Sequence, residues 1–243
     1  MIGREFTRRL LDRLAELHTH TERYLQELKA LELIYERSLF PELAYMFKHA
    51  LIQDVTYNSL LVRRRQELHQ LIGRAMEELY ADRLPEQYEM LAYHFAKAEV
   101  WDKALDCLLK AAEKATQAFA TREALALYDQ AEDVVRQCGT EALTETRMQI
   151  HQARADLYLL RSDFERAHTE WESVLALAQD IGHPTQLWKT HLALGRWDTA
   201  TQCPEHARQA QNAAHEVIDH VLAGLQEPGL RSSLTRLQQH LLL

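Results

Sequence analysis

The stretch 85–119, PEQYEMLAYHFAKAEVWDKALDCLLKAAEKATQAF, constrains the fold more than any other part of this chain. Tyr88, Leu91, Ala92 and Phe95 recur at i, i+3, i+4 and i+7, which is one face of a helix over about residues 86–98. Val100, Trp101 and Asp102 read as a turn. A second helix from near Lys103 sets Ala104, Leu108 and Ala111 on its inner side. Small residues at Ala92 and Ala104 let the two backbones approach, while Tyr88, Phe95 and Leu108 fill the space beside them. The twelve-residue step from Ala92 to Ala104 returns between Ala155 and Ala167. There a helix at 144–160 with Ala155 and Tyr158 turns at Arg161, Ser162 and Asp163 into a helix at 164–178 with Trp171 and Val174.

Two such pairs resemble the tetratricopeptide repeat (TPR), a helix–turn–helix unit of about 34 residues. Ala124, Tyr128 and Ala131 repeat the small–aromatic–small signature of a second TPR helix, with Thr121 as its cap. The step from Ala104 to Ala124 is 20, so the array is irregular, and the helix at 103–119 serves two neighbouring pairs. Asp180 to Pro184 stops and restarts the chain before helices at 185–195 and 205–225. Pro228 and Gly229 precede a closing segment rich in leucine. With only 7 Gly and 5 Pro there is little material for β-turns, and an all-α, irregular TPR-like α-solenoid over 85–243 is expected.

The N-terminal part differs. MIGREFTRRLLDRLAEL is amphipathic, with Phe6, Leu10, Leu11 and Leu14 on one side. Thr21 is placed to cap a helix at 22–33 carrying Tyr24, Leu25, Leu28, Leu31 and Leu33. Ile34 to Ser38 and Ala44 to His49 are rich in strand-favouring residues around Phe40 and Pro41. They read as a small β-hairpin, the alternative being one irregular helix interrupted at Pro41. Helices at 50–61, with Leu51, Val55, Leu60 and Leu61 inward, and at 63–82 follow. This gives a small winged-helix-like domain at 1–62 and a connecting helix at 63–84.

The segments IGREF, FKHALIQDV and RRRQELH, in this order, resemble the region that follows the nucleotide-binding module of bacterial STAND-type signalling ATPases. These include ATPases fused to class III adenylate/guanylate cyclase domains and MalT-like regulators. The resemblance covers most of the chain and is strongest over 2–132. It implies a winged helix that acts as a structural coupler, lacking its first helix before Met1, and then TPR-like helices. It also implies an NTPase module as partner, in cis or in trans, whose catalytic residues lie outside this chain.

Chemical motifs point the same way. The sequence contains no G-x-x-x-x-G-K-[ST], G-x-G-x-x-G or H-E-x-x-H, so neither enzyme activity nor a cofactor is expected. Cys107, Cys138 and Cys203 are far apart, which argues against zinc or a disulfide framework and fits a reducing cytoplasm. His49, His69 and His94 are each alone on their helices and read as packing or surface residues. Glu77 with Glu78, and Glu170 with Glu172, read as solvated faces. No run approaches a membrane span, and no signal peptide follows Met1.

Charge separates the partner classes. Residues 1–84 carry 13 basic and 13 acidic side chains, leaving 15 and 23 of the chain's 28 and 36 for residues 85–243. An acidic array disfavours nucleic acid, whose affinity is dominated by phosphate neutralisation, and is compatible with basic peptides. If the TPR resemblance holds, a protein or peptide partner lies in a concave groove lined by first helices. That places Tyr93, Gln152, Asp156 and Leu159 there, with Glu86 and Glu89, unless these are ordinary solvated positions. Arg63, Arg64 and Arg65 open a helix against its dipole. They contact phosphate or an acidic partner, as in a DNA-binding regulator, or form an ion-pair cluster with Glu67. The neutral balance of 1–84 favours the cluster.

Overall fold

The computed structural model describes residues 5–15, 20–39, 42–139, 143–224 and 226–240. The chain is predominantly helical, with one small three-stranded sheet. It divides into two compact units, Met1–Ala118 with Arg136–Cys138, and Phe119–Val135 with Gly139–Leu243.

In the first unit, β1 (Glu5–Thr7) leads into α1 (Arg8–Ala15), α2 (Thr21–Ala30), β2 (Ile34–Leu39) and β3 (Glu42–Phe47). β2 and β3 form an antiparallel hairpin, and β1 pairs antiparallel on the other edge of β3, giving the order β1-β3-β2. The irregular-helix alternative for this stretch therefore does not hold, while its centre at Phe40 and Pro41 lies outside the described residues. Alternation along the strands turns Ile34 and Tyr45 inward against Leu25, with Phe6, Leu11, Leu28 and Phe47 around them. Phe6 was expected on the first helix. It stands instead on β1 opposite Tyr45, their rings stacked at 5.7 Å, because Glu5–Thr7 pairs with the edge that β2 leaves open on β3. Thr21 is the first residue of α2, whose N-cap position is His20.

The helix α3 (Ala50–Ser59) departs from expectation more sharply. Leu51, Val55 and Leu61 do not face inward: Leu51 is 72% and Leu61 80% exposed. Tyr57 carries α3 onto its neighbour, its hydroxyl 3.1 Å from His69 Nε2. Leu51 and Val55 lie roughly 120–160° around the helix from Tyr57 and stay in solvent.

Next come α4 (Val62–Leu79), a 3-10 segment (Ala81–Glu86), α5 (Tyr88–Lys97) and α6 (Trp101–Gln117). The second helix of this pair starts two residues earlier than expected, with Glu99 left-handed and Trp101 already helical. Ala92 and Ala104 are buried, as are Leu91, Phe95 and Leu108, each large side chain contributing about 1.5–3 kcal/mol. Gly73 on α4 makes room for this core: a Cβ there would lie 2.8 Å from the Phe95 ring. Phe95 is fully buried, so the ring has no space to withdraw into. Gly73→Ala should therefore destabilise the first unit by about 1–3 kcal/mol, read as a lower urea midpoint. An unchanged midpoint would show that α4 and α5 separate without cost.

The second unit takes α7 (Thr121–Cys138) as far as Val135, and then α8 (Thr144–Leu160), α9 (Phe164–Asp180), α10 (Pro184–Ala200), α11 (Pro204–Gly224) and α12 (Pro228–His240) succeed one another. α10 is longer than the expected 185–195, because Leu194 and Asp198 continue its buried side. Ala155, Ala167, Val174, Ala178 and Met148 form the α8–α9 interior, and Ala207, Ala214 and Ile218 bury α11. The closing leucines 241–243 lie outside the described residues.

The helix turns repeat one geometry. Ser162, Gly182 and Gln202 are left-handed, and the next-residue N–H groups of Asp163, His183 and Cys203 bond back to Tyr158, Ala178 and Asp198 carbonyls. Glu99 and Val100 do the same in the first unit, Val100 N–H reaching Phe95 O at 2.9 Å. These are Schellman closures, which satisfy the last carbonyls of each helix and reverse the chain in three residues.

Candidate functional site

In the second unit, α8 and α10 share a polar wall. Gln152 Nε2 donates to Asp156 Oδ1 at 3.1 Å, and Gln186 Nε2 donates to Gln152 Oε1 at 2.9 Å and to Thr190 Oγ1 at 3.3 Å. Thr190 is buried, whereas Asp156 is exposed. The Asp156 carboxyl is nevertheless raised above the usual carboxylate range by the protein crowded around it, with the Gln152 hydrogen bond opposing. Of the expected groove residues, Gln152 and Asp156 are thus joined directly, and Leu159 is half-buried one turn on. Gln186 and Thr190 escaped the sequence reading because α10 shows little amphipathic contrast.

Behind this wall runs a buried ionic network. Glu170 was expected on a solvated face and is instead buried. His151 Nδ1 lies 2.6 Å from its Oε2 and Arg154 2.9 Å from its Oε1, and Arg154 also reaches Asp129 at 3.2 Å. Glu170 falls three residues after Ala167 and four before Val174, so the buried stripe itself carried the signal. Glu172 does lie on the exposed side. Buried Glu132 accepts from Arg147 Nε at 3.2 Å.

Between α10 and α11 lies a cavity of about 580 Å³, with Leu187, His191, Glu216, Val217 and His220 among its lining residues. Burial holds the His191 imidazole below its usual pKa.

The first unit carries a second constellation. His69 on α4 and His94 on α5 are both fully buried, with their Nδ1 atoms 3.0 Å apart. One ring must donate and the other accept, so the acceptor is neutral, and burial disfavours a charge on the donor as well. Burial, first of all, pushes both imidazoles down to about 4, and the nearby charges of Lys97 and Arg65 add to this at His69. Tyr57 and Tyr93 meet the His69 ring edge-on at 5.9 and 5.7 Å. Arg65 lies 5.1 Å over the Tyr57 ring and Lys97 5.9 Å over that of Tyr93. Glu86, Glu89 and Tyr93 are all exposed, and Tyr93 follows Glu89 by one turn. The Tyr93 hydroxyl is raised above its ordinary range, by burial first and then by Tyr57.

The three arginines divide. Arg64 lies 3.0 Å from Glu67 and Arg63 3.6 Å from the same carboxylate, so two of them do form the ion-pair cluster, whereas Arg65 stacks on Tyr57. Glu77 pairs with Lys103 at 2.5 Å, and Glu78 pairs with Arg13. The His69–His94 contact was not expected, yet each histidine lies among buried positions, His69 beside Ile72 and Met76, His94 beside Leu91 and Phe95.

Among the described residues, no group of three or more His, Cys, Asp or Glu side chains is placed to hold a metal ion, and no helix is long and apolar enough to cross a membrane. No family model matches the chain, and no curated protein matches it. Among solved structures it is similar to BtubC (BKLC) from P. vanneervenii, at 17% sequence identity over 71% of each chain with a TM-score of 0.49.

Proposed function

We propose that this chain is a non-catalytic protein-interaction scaffold, a winged-helix-like module followed by an irregular TPR-like array, acting as the coupling region of a STAND-type signalling ATPase. The observation that carries the binding part is the hydrogen-bonded wall Gln152–Asp156 and Gln186–Thr190, which presents an exposed carboxylate on a crowded surface. The recurring Schellman turns support a repeat architecture. The element order β1-α1-α2-β2-β3 with strand order β1-β3-β2 supports a winged helix. An NTPase module, in cis or in trans, is the partner the sequence resemblance implies, and no ATP hydrolysis is expected of the chain itself.

An array of basic peptides probed with the purified chain tests this reading. Binding should weaken at least fivefold in Asp156→Lys, which reverses the charge of an exposed side chain. Failure of every peptide to bind, or indifference to Asp156→Lys, would remove the wall as a binding site.

Transcriptional regulation through duplex DNA is the second reading. Arg65, which has no ion pair among the described residues, favours it, but α2 is neutral overall, with two acidic and two basic side chains where a winged helix reads the groove. It would be supported by a salt-sensitive electrophoretic shift that is lost when Arg63, Arg64 and Arg65 become Ala.

A further inference from the structure

We infer that the face of the first unit bearing Tyr57, Arg65, Tyr93 and Lys97 is a docking surface for an acidic peptide segment with interspersed apolar side chains. This rests on the reading of the chain as a binding scaffold but concerns a different surface, and a partner of opposite charge, from the Asp156 wall.

The first support is charge. Among the described residues Arg65 and Lys97 form no ion pair; each is held by an aromatic ring instead. Close by in sequence, Arg63 and Arg64 share the single carboxylate of Glu67, and the Arg63 side chain is 91% exposed. Four cations thus meet one acid, in a chain whose net charge is −8. Arg63, Arg64 and Arg65 gather at the start of α4, where the helix dipole is also positive and disfavours them, while Lys97 closes α5.

The second support is the surface between the charges. Tyr93 is 48% exposed, and Val62 and Leu61 are largely exposed at the same end of α4. Tyrosine and arginine together are what well-formed interfaces concentrate, because each offers a rigid apolar surface with a polar tip. The buried His69–His94 pair fixes Tyr57 and Tyr93 from beneath, so the rings are pre-organised. Glu89 lies one turn before Tyr93 on α5. The acidic residues of the partner therefore sit over Arg65 and Lys97, and its uncharged or basic residues towards Glu89.

The exposed apolar side chains favour a peptide over a nucleic acid. The apolar residues of a peptide cover Leu61 and Val62, which a phosphate chain would leave bare.

The test is fluorescence anisotropy on the full chain, using a labelled twelve-residue peptide in which Glu alternates with Leu and Phe. Controls are its Lys counterpart and a twelve-nucleotide single-stranded RNA. The acidic peptide should bind, weaken on adding salt, and lose at least tenfold in affinity in R65Q/K97Q, whose far-UV circular dichroism should match the parent. R65E/K97E should lose more, and Asp156→Lys should leave acidic-peptide binding unchanged. Absence of acidic-peptide binding, insensitivity to R65Q/K97Q, or preference of the face for RNA would each overturn the proposal. Loss of basic-peptide binding in Asp156→Lys with no acidic-peptide binding would leave the scaffold reading standing and this one refuted.

Discussion

Acidification from pH 7 to about 4 should cost the first unit roughly 2–3 kcal/mol for each of His69 and His94. Both imidazoles are fully buried and are pushed from the ordinary value of 6.5 to about 4. In the unfolded chain they protonate near 6.5. Between these values the unfolded state binds protons that the folded state refuses, so stability falls as pH falls. Above 6.5 both states are neutral and the two rings contribute no pH dependence. Each ring contributes about 1.4 kcal/mol per pH unit inside the window. For a domain with a stability on the order of 5–15 kcal/mol, that is a large share.

Urea midpoints at pH 7, 6 and 5 measure this effect without extensive protonation of carboxylates. His94→Leu should roughly halve the slope. It should also cost about 1–3 kcal/mol at pH 7, because His69 Nδ1 loses its 3.0 Å partner. A midpoint constant from pH 7 to 5, or a slope that His94→Leu leaves intact, would contradict the buried neutral pair. His94 Nε2, which has no hydrogen-bond partner among the described residues, makes the pair strained rather than optimal. The same pair braces the Tyr57 and Tyr93 rings from beneath.

The parts of this architecture that could be read from the sequence are those fixed locally. The pair at 144–160 and 164 onward is written in Ala155, Tyr158, Ala167 and Trp171, whose spacing repeats within one helix length. The hairpin could be read because Ile34 to Ser38 and Ala44 to Phe47 are strand-favouring around Pro41. What could not be read depends on residues distant in sequence. His69 and His94 are 25 residues apart, and each alone is an ordinary helical histidine. Periodicity named an apolar side for α3 but not whether anything covers it, and Leu51 and Val55 are bare. The chain reversals at Ser162 and Gln202 use left-handed non-glycine residues, so the scarcity of glycine concealed how alike the turns are. For the proposed wall, Gln152 and Asp156 were singled out from the sequence, but their neighbours Gln186 and Thr190, 34 residues further on, were not.

The largest single-residue effect is expected at Glu170. Replacing it by Ala should destabilise the second unit by about 3–5 kcal/mol, because Arg154 and His151 lose the carboxylate that compensates them in a nearly closed environment. Among the described residues, Arg154 is then left with Asp129, an exposed partner at 3.2 Å, and its Nε has no hydrogen bond. Glu170→Gln retains an acceptor and should cost less, about 1–3 kcal/mol. The double change Glu170→Met with Arg154→Met separates two accounts. If the cost of Glu170→Ala comes from leaving a cation uncompensated, removing both ions should recover much of it, since an apolar pair of similar volume is often no less stable than a buried ion pair. Guanidinium unfolding of the two single Met variants and the double gives the coupling directly. A coupling of at least about 1.5 kcal/mol is expected, the value for one strong charge-assisted contact. Additive losses would mean that α8 and α9 are held by Ala155, Ala167 and Val174 alone, and that the ions merely occupy space between them.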